Sequence, residues 1–118
     1  MPKKILIAED DKPMAKAMQL KLAKFGFEVE IAANGELALQ ALDKGTFDLI
    51  LSDLVMPKMD GFELLAEIKK RNIKTPVIVT TNLGQPGDEK KAKELGAKDY
   101  FIKSNTTILA LVDHVKNF

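Results

Sequence analysis

The sequence predicts an α/β protein, a doubly wound five-stranded parallel sheet with helices on both faces. Three observations carry that prediction. Short apolar runs alternate with helical patterns five times along 118 residues. The runs KILIA, FDLILS and PVIVT are almost continuously apolar, as strands covered on both faces must be. Each run is followed by a helical pattern, and a helical crossover is how a chain returns parallel to the strand it has left.

The elements follow in order. Lys4 to Ala8 reads as a buried strand, and Pro13 suits the first turn of the helix after it. Met14, Met18, Leu22 and Phe25 recur at helical spacing, the two methionines as core filler, and Gly26 closes that helix. Phe27, Val29 and Ile31 alternate with Glu28 and Glu30, which predicts a half-buried strand at an edge of the sheet. Asn34 caps a short helix rich in alanine and leucine, and Gly45 ends it. The third strand is expected over Phe47 to Ser52. Asp60 and Glu63 have capping-box spacing and open a helix carrying Leu64, Leu65 and Ile68. Pro76 to Thr80 is the fourth strand, and a polar loop leads to a charged helix from about Asp88 to Leu95, stopped at Gly96. Asp99 to Ile102 is the fifth strand. The last helix has Ile108, Leu111, Val112 and Val115 on one stripe. The natural strand order is 2-1-3-4-5, the flavodoxin-like (βα)5 arrangement, which places ligands between strands one and three.

Composition narrows the function. With 46% hydrophobic and 30% charged residues the chain suits one domain around a single core. A net charge of +1 gives no global electrostatic case for nucleic acid or an anionic membrane. The absence of cysteine excludes disulfides and thiolate metal sites, and a single histidine, His114, excludes a multi-histidine site. No apolar run approaches the roughly 20 residues of a membrane span. The apolar run at the N-terminus is too short for a signal peptide and ends in acids. A cytoplasmic protein is the plain reading.

In a parallel sheet all strand C-termini open onto one rim. Strand one ends at Glu9, Asp10 and Asp11, strand three at Asp53, strand four at Thr80 and Thr81, strand five at Lys103. At least three carboxylates thus meet in one crevice, where each raises the pKa of the others. A divalent cation resolves the conflict, and a few oxygen ligands suit Mg²⁺ that keeps several waters. Asp53, central between the acids and Lys103, is the nucleophile candidate for phosphoryl transfer. Metal and lysine would neutralise the phosphoryl oxygens, and the Val55 backbone carbonyl is placed to join the metal.

The segments ILIAEDD, DLILSDLVMPKMDG, VIVTTN and DYFIKS, in this order and spacing, resemble a two-component response regulator receiver domain, single-domain and chemotaxis-regulator-like, over residues 1–118. The resemblance implies that Asp53 is the phosphoacceptor and that Glu9, Asp10, Asp53 and the Val55 carbonyl bind Mg²⁺. It implies that Thr80 is the switching hydroxyl, Lys103 the phosphate-pairing lysine and Tyr100 the aromatic whose rotamer reports the switch. It implies a histidine kinase or histidine phosphotransfer protein as donor, and an output protein or domain reached through the fourth helix, fifth strand and fifth helix. No direct contact with nucleic acid or membrane is implied for this domain, which is a monomer or a phosphorylation-dependent dimer. The pattern ends right after the fifth helix with no output domain, which fits a stand-alone receiver or a piece of a longer regulator.

Three departures from the family stand out, the third a pair of positions. Ser104 replaces the proline usual after the lysine, where a cis bond without proline costs about 3–4 kcal/mol. Thr81 is larger than the alanine or glycine usual after the switching threonine, and narrows access to Asp53. Val55 and Asn82 flank the site, and an apolar Val55 does not position an attacking water, so slow loss of phosphate is expected.

Taken singly, these residues have plainer roles. Asp10 or Asp11 caps a helix, and Asp60 is expected to do only that. Thr80 and Tyr100 suit strands by propensity alone. Lys90, Lys91, Lys93 and Lys98 read as a solvated face, and His114 as a boundary residue. Besides the switch, two other functions compete. One is an aspartyl-phosphate hydrolase, disfavoured because every connection is too short for a cap over a substrate pocket. The other is a binding module that needs no phosphorylation.

Overall fold

The computed structural model describes residues 3–104 and 107–117. The elements alternate as β1 (Lys4–Ala8), α1 (Lys12–Lys24), β2 (Glu28–Ala32), α2 (Gly35–Lys44), β3 (Leu49–Ser52), α3 (Gly61–Lys70), β4 (Val77–Thr81), α4 (Pro86–Glu94), β5 (Asp99–Ile102) and α5 (Ile108–Lys116). The strands form one parallel sheet in the order β2-β1-β3-β4-β5. Both the fold class and the strand order are those the sequence predicts.

The two faces of the sheet follow from side-chain alternation along each strand. Ile5, Ile7, Leu49, Leu51 and Ile78 pack with α1 and α5 through Met18, Leu22, Leu111, Val112 and Val115. Leu6, Ala8, Ile50, Val77 and Val79 pack on the other side with Leu39, Leu64, Leu65, Ile68 and Ala92. Each large side chain so buried contributes about 1.5–3 kcal/mol relative to exposure. The continuous apolar runs of the sequence are therefore two interleaved sets, one for each helical layer.

The boundaries moved in three places. β3 starts at Leu49 rather than Phe47, although Phe47 is buried against the core. β4 is shifted by one residue and ends at Thr81, because Thr81 still pairs with Ile102 of β5. α4 begins at Pro86, ahead of Asp88, since proline lacks only the amide that a first helical turn leaves unused. Two residues expected inside lie out. Ile31 is 36% exposed on edge strand β2, and Phe25, 43% exposed, lies under the Lys116 ammonium, 4.4 Å from its ring centre.

Local signals hold the helix starts. Asn34 Oδ1 accepts from the Leu37 amide at 2.9 Å, and Asp11 Oδ1 from the Met14 amide at 3.1 Å. Asp60 and Glu63 form a reciprocal capping box, with bonds of 2.8 and 3.2 Å. Gly26, at φ +92, takes the left-handed conformation that ends α1.

Candidate functional site: an acidic crevice at the strand C-termini

β1 and β3 are neighbours in register, Ala8 opposite Ser52. The residues just past each, Glu9 and Asp53, therefore emerge side by side. The Asp53 amide extends the ladder by donating to the Ala8 carbonyl at 2.9 Å, and the Glu9 amide donates to Ala32 at 3.0 Å. Both side chains are buried, Glu9 to 2% and Asp53 to 7% exposure, while Asp10 is exposed. Oxygens of Glu9, Asp10 and Asp53 all lie within 4.8 Å of one another. Asp11, the third acid of the run, is taken up by its cap and lies outside this trio.

Lys103 reaches the crevice from the end of β5. Its Nζ donates to Asp53 Oδ2 at 3.0 Å and to Glu9 Oε1. The Lys103–Ser104 peptide is trans. Asp53 Oδ1 accepts from the amide of Leu54 at 2.7 Å and of Val55 at 3.4 Å. Val55 itself is 59% exposed at the crevice mouth. The crevice has a volume of about 390 Å³, and Thr81 and Asn82 line it together with the acids.

The electrostatics show a shortage of positive charge. Burial pushes the Glu9 carboxyl up to about 7 even though an ammonium is bonded to it, and the neighbouring Asp53 adds to the rise. Burial works against the charge on Lys103, yet its bonds to Glu9 and Asp53 prevail and raise its pKa. One ammonium faces three carboxylates. An all-oxygen donor set with that deficit fits a hard divalent cation holding water in its remaining positions.

The structure brings Asp53, Glu9, Asp10, Val55 and Lys103 together at the crevice, whose lining does not include Thr80. Thr80 follows Ile78 on the α1/α5 face and lines a void of about 30 Å³ with Met14, Met18, Phe101, Lys103, Ile108 and Leu111. The hydroxyl on the crevice belongs to Thr81, fully buried, whose Oγ1 accepts from the Leu83 amide at 3.3 Å. The physical reason is position along the strand: β4 runs one residue further than expected, so Thr81 rather than Thr80 stands at its C-terminal end, on the rim with the crevice. The missed signal was the length of β4 relative to β5, since the Lys103 amide donates to the Thr81 carbonyl at 2.7 Å.

Tyr100 is half-buried on β5, and its hydroxyl donates to the Leu83 carbonyl at 2.5 Å in the loop before α4. Burial, then Asp88 and Glu89, raise its phenol above the usual range. His114 sits at the boundary, its Nε2 2.9 Å from Asp99 Oδ2 and its ring edge-on to Phe101. Of the lysines expected to be solvated, Lys93 pairs with Glu89 at 3.0 Å, and Lys91 lies 4.4 Å from the centre of the Phe62 ring.

Comparison with known proteins identifies the family. The family described as "Response regulator receiver domain" matches residues 5–116. The transcriptional regulatory protein DltR of Streptococcus agalactiae is 35% identical over 100 residues, 85% of this chain and 45% of that protein. The probable transcriptional regulator ycf29 of Porphyra purpurea is 41% identical over 101 residues, 84% of this chain and 48% of its own. The chain thus spans less than half the length of these curated relatives. Among solved structures, the receiver domain of the Francisella response regulator 1452 superposes with a TM-score of 0.91 at 32% identity, covering 98% of this chain and 94% of that one. The chemotaxis protein CheY4 of Vibrio cholerae gives 0.91 at 28% identity, covering 99% and 98%. The chain belongs to the response regulator receiver family of two-component systems, whose members are phosphorylation-dependent signalling switches rather than turnover enzymes. In that family the phosphoryl group comes from histidine kinases and the signal passes to output domains. Among the described residues, no helix is long and apolar enough to cross a membrane.

Proposed function

We propose that the chain accepts a phosphoryl group on Asp53 from a histidine kinase or histidine phosphotransfer protein, in the cytoplasm, and transmits the change through α4, β5 and α5. The observation that carries the reading is the trio of carboxylate oxygens within 4.8 Å, with Lys103 bridging two of the three residues. In the transfer, an Asp53 oxygen forms a bond to phosphorus as the donor's phosphorus–nitrogen bond breaks, and the departing imidazole keeps the electron pair and takes a proton. Glu9, Asp10, Asp53 and the Val55 carbonyl would hold Mg²⁺, which neutralises charge on the phosphoryl oxygens. Lys103 stays on the Asp53 side and pairs with the new oxygens.

The hydroxyl in this reading is that of Thr81, in place of Thr80. Thr81 exchanges its bond from the Leu83 amide for one to the phosphoryl group, and the Leu83 carbonyl is the acceptor of the Tyr100 hydroxyl. One loop therefore links the crevice to β5 and the start of α4. The added charge biases which of two packings that loop adopts. With Thr81 as the switch, the position following it is Asn82, exposed at the crevice.

Incubation with Mg²⁺ and acetyl phosphate, followed by intact mass measurement, tests the assignment. The chain gains one acid-labile phosphoryl group, and Asp53→Asn and removal of Mg²⁺ each abolish it. Steady turnover of a phosphate ester would favour the hydrolase. No gain at all would favour the module that needs no phosphorylation.

A further inference from the structure

At the opposite rim, where β4 and β5 begin, a second cavity of about 310 Å³ opens between α3 and α4. Its floor is apolar and buried: Leu65, Ile68 and Val77, with Ile73 and Leu95 as half-buried walls. Three exposed lysines, Lys69, Lys74 and Lys98, stand on its rim, and no acidic side chain lines it. The rim lysines are also free of carboxylate partners. Lys69 reaches only the Glu94 carbonyl at 3.5 Å, and Lys74 the side-chain oxygen of Asn72 at 2.8 Å. Among the described residues none of the three takes part in an ion pair, whereas Arg71, close by in sequence, pairs with both Asp43 and Glu67.

We infer that this cavity is a binding site for a small apolar monoanion: a short hydrocarbon or aromatic body with one carboxylate. The chemistry of the lining selects that class. An apolar floor gains from excluding water along a hydrocarbon body, and three ammoniums in a lining that holds no carboxylate favour a negative head and disfavour a positive one. Size narrows it further. At about 30 Å³ for each water-sized atom, the cavity holds roughly ten non-hydrogen atoms, the low end of ligand pockets at about 300 Å³. That is too small for a peptide helix and suits an eight-carbon carboxylate. The ligand would wedge between Ile68 of α3 and Leu95 at the end of α4, far along the strands from Asp53.

Octanoate and octyltrimethylammonium, equal in chain length and opposite in charge, form the test, each titrated below its aggregation threshold into methyl-labelled protein followed by NMR. Octanoate is expected to saturate and to shift the methyls of Leu65, Ile68, Ile73, Val77 and Leu95, while the cation leaves them in place. The triple variant Lys69→Gln, Lys74→Gln, Lys98→Gln should weaken octanoate by about tenfold or more and erase the preference for the anion. Its phosphorylation by acetyl phosphate should be unchanged, since these lysines lie outside the crevice. Equal binding of the two amphiphiles, or shifts scattered to other exposed apolar residues such as Leu20 and Leu109, would show hydrophobic adsorption only and overturn the inference. So would octanoate affinity that survives in the triple variant.

Discussion

Gly61→Ala is the sharpest test of how the loop bearing Asp53 is held. Gly61 opens α3, and its amide donates to the Leu54 carbonyl at 2.8 Å. A Cβ at this position would stand 2.6 Å from Leu54 Cα and 3.0 Å from the Asp53 carbonyl carbon, and would press on the Asp53 carbonyl oxygen. Comfortable carbon contacts lie at about 3.5–4.0 Å, so roughly an ångström of movement is needed. The atoms in the way are backbone, and they are fixed. Asp53 is tied to Ala8 by its amide, and Leu54 is buried to 1% exposure. Overpacking of this kind typically costs about 1–3 kcal/mol, occasionally more. We expect about 3 kcal/mol here, which lowers Tm by roughly 10 °C for a domain of this size. Urea and thermal denaturation followed by circular dichroism measure it. Gly87→Ala is the control, because a Cβ there meets nothing within 4 Å, and in a helix it should be neutral or gain up to about 1 kcal/mol. If Gly61→Ala stays within about 0.5 kcal/mol of the parent, a figure ordinary for surface changes, the close approach of α3 to the Asp53 loop is wrong.

Three further outcomes follow from the crevice. Thr81→Ala should slow phosphorylation by acetyl phosphate, or uncouple it from the change at Tyr100, by roughly 10-fold or more, whereas Thr80→Ala should leave both unaltered; the reverse ranking would restore Thr80 to the site. Glu9 makes metal-free stability depend on pH. Its folded pKa, about 7, lies above the 4.5 of the exposed group, so the stability it contributes is full below 4.5 and is lost as pH rises through 7. Denaturation in a chelator should show that decline, of the order of 3 kcal/mol, and Glu9→Gln should flatten it; a Glu9→Gln profile parallel to the parent would refute the assignment. Finally, the exposed and apolar Val55 offers no group to orient water, so phosphate on Asp53 should persist for minutes, and Val55→Asn should shorten its lifetime by about tenfold. Decay of the parent within seconds would contradict this.

The two-layer sheet was legible because its signals are redundant. Leu6 and Ile7 point to different helical layers, yet both are apolar, and so a buried strand announces itself without any sense of which face is which. Caps at Asn34 and Asp60 were equally readable, since the capping side chain and the amide that donates to it are three residues apart. The crevice acids were legible because they sit at the ends of two strands whose adjacency the strand order dictates. What the residues alone hid was where β4 ends. Thr80 and Thr81 have the same chemistry, and only the pairing of Thr81 with Ile102 says which hydroxyl stands at the strand's tip beside the acids. Edge effects were hidden too: Ile31 and Phe25 obey the apolar pattern, but β2 is an edge strand, and Phe25 at the end of α1 meets the Lys116 ammonium rather than the core.

The bond from Tyr100 to Leu83 has a practical consequence. The chain holds one tyrosine and no tryptophan, so its near-ultraviolet emission and absorbance beyond the phenylalanine range originate from a single ring, already seated at the joint between crevice and α4. Anything that loosens that joint writes directly into an optical signal without a dye or a label. The molecule carries its own gauge.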